Sequence, residues 1–213
     1  MRSNCKGNVL VYILLAVALF AALTYAVSGE NRGSQQNQLT ESQVDLLATS
    51  LIAQATTVKQ TISLMEQWGI EYNDLMFDLP GSASYTSNVS RQVYHPSGGG
   101  LSIFNEKESY KAMPSARGWT WQNLNNVEWS ATTDTDLIYT FLDISENVCA
   151  KINERLHNDP AIPISTVNYI DVFMTNSPNP DFLITDCPEC QGIDSLCISN
   201  STNYAFYNII GMR

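Results

Sequence analysis

The spacing of apolar positions changes character three times along this chain. Val9 to Val27 (VLVYILLAVALFAALTYAV) is apolar with no period, a run of 19 residues without a charge. As a helix it is about 28 Å long at about 1.5 Å per residue, which matches the hydrocarbon layer of a bilayer. The pattern predicts a transmembrane helix over residues 8–27. Ser28 to Leu39 (SGENRGSQQNQL) is polar with two glycines and reads as a flexible joint over 28–39. At Thr40 a helical period begins. Val44, Leu47, Leu51, Ala55, Val58, Ile62 and Met65 recur in steps of three and four and predict an amphipathic helix of about seven turns, stopping at Gly69. Thr40 and Gln43 have the spacing of a capping box at its start.

Beyond Gly69 the period shortens to that of strands. Gln92-Val93-Tyr94 and Leu101-Ser102-Ile103-Phe104 flank His95-Pro96-Ser97-Gly98-Gly99-Gly100 as a hairpin flanks a long tip. Trp119 and Trp121 alternate as on one face of a strand, and Trp129 closes the polar stretch after them. Asp136 to Asp143 (DLIYTFLD) predicts a strand. Ser145 then caps a short helix with Val148, Cys149, Ile152 and Leu156 on one side. Val167 to Met174, Asp181 to Thr185 and Tyr204 to Ile210 read as further strands. The expected fold class is α+β: a long amphipathic helix packed on a mostly antiparallel β-sheet, with a disulfide-bearing C-terminal loop, as one domain over 40–213.

Charge sets an orientation for this plan. Residues 1–27 hold Arg2 and Lys6 and no acid, whereas Ser28 onward carries 9 Lys and Arg against 21 Asp and Glu, a net of −12. Two cations on the short side of the apolar run place the N-terminus in the cytoplasm. The expectation is a single-pass inner-membrane protein, its partner along the run being membrane lipid, with its domain in the periplasm. A cleaved secretory signal is the rival reading, because Ala26-Val27-Ser28 has small residues at the right spacing, but the run exceeds the usual apolar core of such signals. The body crosses the membrane either way. Its acidity excludes nucleic acid as a partner, since that recognition needs clustered Lys and Arg.

Cys5 precedes the run, leaving Cys149, Cys187, Cys190 and Cys197 in the body. An even set beyond a membrane segment reads as a disulfide framework with three pairings open. The preferred one joins Cys149 to Cys197 and Cys187 to Cys190, although a disulfide within CxxC closes a tight ring. Cys187-Pro188-Glu189-Cys190 also raises thiol–disulfide exchange, which in thioredoxin-like proteins needs a helix starting at the first cysteine; Gln191-Gly192 breaks such a helix at once. Zinc bound by all four thiolates lacks the second short spacing. Asp186, Glu189 and Asp194 are weak calcium candidates without the alternation of a calcium loop. The only histidines, His95 and His157, lie beside loops, and Gly98-Gly99-Gly100 has no following Lys to make a phosphate cradle. With no catalytic motif of the HExxH, GxSxG or P-loop kind, the sequence points to a non-enzymatic protein without cofactor or structural metal.

Lys6-Gly7, the long uncharged helix behind it and the cysteine-bearing C-terminal loop and strand together resemble the type IV pilins and pseudopilins. The anchor CKGNVLVYILLAVALFAALTYAVS, Val148-Cys149-Ala150-Lys151-Ile152-Asn153 and Ala205-Phe206-Tyr207 are similar to segments of pilin-like proteins of Gram-negative bacteria. The resemblance implies leader processing after Gly7, a mature N-terminus at Asn8, and partners among other pilin-like subunits or the assembly machinery, with the domain extracellular when in a filament. It also implies a glutamate at the fifth mature position, where this chain has Tyr12. A minor pseudopilin-like or tip-like subunit of a filament or secretion apparatus is therefore expected. A bitopic periplasmic binding module, contacting its partner through Trp119 to Trp129, is the alternative, and a redox protein using CPEC the third reading.

Overall fold

Helix α1, Glu41–Gln67, opens the domain. The computed structural model describes residues 13, 16–19, 40–102, 118–174 and 180–211. The chain divides into two units, Met1–Thr40 and Glu41–Arg213, and the second carries the sheet and its helices. Ile13 and residues 16–19 of the apolar run are helical and exposed. The rest of the run, the leader and the joint lie outside the described residues, among which no helix is long and apolar enough to cross a membrane.

α1 buries Val44, Ala48, Leu51, Ala55, Val58, Ile62 and Met65. Burial of each larger member stabilises by about 1.5–3 kcal/mol. Ala48 replaces the expected Leu47, which is half-buried, a shift of one position on the helical wheel. The helix stops at Gly69 (φ +84°), where the Ile70 N–H donates to the Met65 carbonyl at 3.1 Å and the Gly69 N–H to Glu66 at 2.8 Å. Glycine accepts this left-handed closure without a Cβ clash.

The hairpin expected from Gln92 to Phe104 is corrected to a set of turns, with 103–104 outside the described residues. The Val93 N–H donates to the Met76 carbonyl at 2.8 Å, and the Leu101 N–H to Val93 at 3.0 Å. Two features prevent a ladder. Gln92 is fully buried and spends its carboxamide on the Asp78 carboxylate (2.8 Å) and the Ser84 carbonyl (3.0 Å). The glycine run also lies flat on α1: a Cβ on Gly99 would sit 2.6 Å from the Val93 carbonyl oxygen and 2.7 Å from Thr61 Cγ2.

The sheet has four antiparallel strands in the order β1-β2-β4-β3: β1 Gly118–Gln122, β2 Leu137–Leu142, β3 Ser195–Ser199 and β4 Tyr204–Gly211. One face, with Leu137, Tyr139 and Ile210, packs on Val58, Ile62 and Met65 of α1. The other, with Ile138, Leu142, Ile198 and Tyr207, packs on Phe173, Phe182 and the Cys187–Cys190 pair. All six residues of β2 are buried, which is why its sequence reads as an apolar run interrupted only by Thr140 and not as an alternation.

Helix α2, Glu146–His157, starts after Ser145 as expected, but the Ser145 hydroxyl is buried and makes no capping bond; only its carbonyl engages the helix, accepting the Cys149 N–H at 3.0 Å. Two strand expectations fail. Val167–Met174 contains helix α3, Tyr169–Phe173, because the Asn168 side chain accepts the Ile170 N–H at 3.1 Å and caps it. Capping and a three–four spacing of Tyr169, Val172 and Phe173 outweigh the β propensity of Val, Ile and Phe. Asp181–Thr185 makes a single bridge, Phe182 to Val127. β3, not anticipated, is joined to β4 by a turn in which Asn200 Oδ1 accepts the Thr202 and Asn203 N–H groups.

Candidate functional site

The four body cysteines form two disulfides, Cys149–Cys197 and Cys187–Cys190, on opposite faces of the sheet. All four are fully buried. Cys149 comes from α2 and Cys197 from β3, so the first bond staples helix to strand. The second closes one 3-10 turn, Pro188–Cys190, and packs against Phe182 and Tyr207 in the core below the sheet. That turn is three residues long, so no helix dipole is aimed at Cys187 as thiol exchange would require. Burial further removes the bond from any incoming thiolate.

Asn153 lies between the staple and the sheet edge, and sequence reasoning missed it. Its Nδ2 donates to the Cys197 carbonyl and its Oδ1 accepts the Cys197 N–H, both at 2.8 Å. Nδ2 also donates to the Ala161 carbonyl at 2.8 Å. One turn on, His157 Nε2 lies 2.8 Å from the Ser195 carbonyl. The available signal was a polar residue on the buried stripe of α2, four positions after a cysteine. At the far side of α2, Arg155 grips Asp45 of α1 with contacts of 2.7 Å, 2.7 Å and 3.1 Å. The guanidinium holds the Asp45 carboxyl below its ordinary pKa.

Below the sheet, loop 122–136 and segment 180–186 are tied by polar side chains. Asn125 donates to the Val172 and Pro180 carbonyls at 3.1 and 3.2 Å, and Glu128 accepts the Ile184 N–H at 2.7 Å. Asp136 is fully buried and accepts the Val127 N–H at 2.8 Å. Burial pushes its carboxyl pKa up, against the opposing pull of that bond.

The calcium candidates have other duties. Asp186 accepts the Leu183 N–H at 3.1 Å and the Thr166 hydroxyl at 3.3 Å, and Asp194 pairs with Lys59 at 3.6 Å. Glu189 is exposed on the turn between the cysteines. Among the described residues no three His, Cys, Asp or Glu come together as metal ligands. His95 Nδ1 accepts the Ser97 N–H at 3.0 Å, a turn contact. The N–H groups of Gly98, Gly99 and Gly100 all donate to backbone carbonyls, so the run presents no phosphate cradle.

Of the tryptophans, Trp119 stacks on Tyr139 at 4.3 Å and Trp129 packs edge-on against Phe182 at 4.9 Å. Both are core-facing. Trp121, stacked on Phe77 at 4.5 Å, is 39% exposed and is the one of the three that offers a surface. A second apolar surface lies at the C-terminal end of α1, where Leu64 is 50% exposed in an open groove of ≈ 560 Å³ lined also by Lys59, Ser63, Tyr72 and Ile210, and Trp68, in the turn just past the helix, is 63% exposed. Gly7, Asn8 and Tyr12 lie outside the described residues. The chain matches no family model, no curated protein and no solved structure.

Proposed function

We propose that this protein is a non-enzymatic, pilin-like subunit anchored in the inner membrane, taking a minor or tip-like place in a filament or secretion apparatus. The observation that carries the reading is the exposed side of α1. Between Asp45 and Glu66 the helix holds one charge, Lys59, in a body of net −12. Thr49, Thr56 and Thr57 turn their hydroxyls back to carbonyls one turn earlier, at 2.7–2.8 Å, which leaves Lys59, Gln60 and Ser63 as the polar side chains reaching outward among the exposed Leu46, Ala53 and Leu64. A solvated helix face ordinarily carries charge, and a face depleted in it suits packing against other subunits. The order of elements supports the same reading: an apolar run, a joint, one long helix, then an antiparallel sheet closed by a C-terminal disulfide.

A periplasmic binding module remains the second reading, favoured by the exposed face of Trp121, which stacks on buried Phe77. The mature N-terminus separates the two. Intact-mass analysis of protein from its native membrane should give a chain beginning at Asn8, and Gly7→Val should abolish that processing. A chain beginning at Met1 or Gly29 would exclude the pilin-like reading.

A further inference from the structure

β3 is an edge strand, and an edge presents backbone donors and acceptors that pair readily with another extended chain. Here the outward row is already occupied, mostly by side chains of α2. Asn153 takes both the N–H and the carbonyl of Cys197 at 2.8 Å. His157 takes the Ser195 carbonyl at 2.8 Å, and Ser199 exchanges bonds with Pro163 (2.9 Å) and Ser165 (2.7 Å). In an antiparallel ladder, directly opposed residues of a hydrogen-bonded pair each give one donor and one acceptor. The Asn153 carboxamide supplies that same pair. It stands where the peptide groups of a neighbouring strand would stand.

The sequence of β3 says which strand fits. Ser195-Leu196-Cys197-Ile198-Ser199 is nearly symmetric in character about Cys197. A two-fold axis through Cys197 sets Leu196 against Ile198 of a second copy and Ser195 against Ser199, the self-complementarity that an isologous interface requires. Both apolar residues are nearly fully buried on the side away from α2, so such pairing extends an existing core face.

We propose that β3 is a latent pairing edge for β3 of a second copy of this chain, and that the C-terminal half of α2 holds it closed, with Asn153 as the latch. The Cys149–Cys197 bond keeps the start of α2 on the sheet whether the latch is open or shut. Residues 163–165 cover the far end of the strand and move with the opening. This inference stands apart from how the N-terminus is anchored.

The test compares the full chain with Asn153→Ala in the same detergent, so that association through the apolar run is common to both. Sedimentation gives the mass and amide exchange follows Cys197. The variant should dimerise at a concentration at least tenfold below the wild type, with the Cys197 amide protected in the dimer and fast-exchanging on dilution. Faster exchange at an unchanged mass would overturn the proposal, as would an unchanged Cys197 amide. If Asn153→Ala does not fold, Asn153→Asp keeps the acceptor and loses the donors, and the same outcomes apply. Failure of both to fold would show that α2 is not a cover separable from the sheet, and would equally defeat it.

Discussion

Asp136 is the residue whose position contradicts its chemistry most plainly. It is fully buried, and burial raises its carboxyl pKa. An unfolded aspartate titrates near 4. Above that pH the unfolded chain has released a proton that the folded chain still holds, so stability from this group is full below about pH 4 and falls as pH rises through the folded pKa. Asp136→Asn retains an acceptor for the Val127 N–H and removes the titration. Its stability relative to wild type should therefore grow between about pH 4 and 7, measured by denaturant unfolding at several pH values. A difference independent of pH would mean that the site is wetter than its burial indicates. Asp45 acts in the opposite sense. Its pKa is lowered by Arg155, so the tie between α1 and α2 is present above the unfolded carboxylate pKa and is lost as pH falls through the folded one.

At the scale of elements, Cys149–Cys197 joins positions 48 residues apart and so removes a large loop from the unfolded ensemble. In the loop-entropy account such a closure is worth about 4 kcal/mol. Cys149→Ala with Cys197→Ala should lose about that much in chemical denaturation, while thiol counting on the unfolded, unreduced protein finds no free thiol among the four body cysteines. Four free thiols would remove both bonds from the account. The elements readable in the sequence were those with one dominant signal: the three–four stripe of α1, the apolar runs of β2 and β4, and the apolar stripe of α2. The rest turned on competition. Asn168 capped α3 where Val-Asn-Tyr-Ile-Asp-Val-Phe favoured a strand. Gly99, pressed on Thr61, flattened the expected hairpin. β3 is five residues long between turn-rich segments and is recognisable only by its partner β4. The cysteines of the site were legible, whereas Asn153 was not, because its role exists only once α2 lies along β3.

On the scale of the whole molecule, the described cations are Lys59, Arg91, Lys151 and Arg155, and each is engaged with a carboxylate. A body of net −12 has little to draw it to an anionic surface. What can hold it at a membrane is the apolar run, 19 residues with no charge, whose cations Arg2 and Lys6 precede it. In the proposed reading one N-terminal anchor holds the disulfide-bonded domain on the far side of the membrane. The direct measurement is a reporter active only in the periplasm, fused after Arg213 and assayed beside a reporter active only in the cytoplasm. The periplasmic fusion should be active and the cytoplasmic one silent, whereas activity of the cytoplasmic fusion alone would contradict the account.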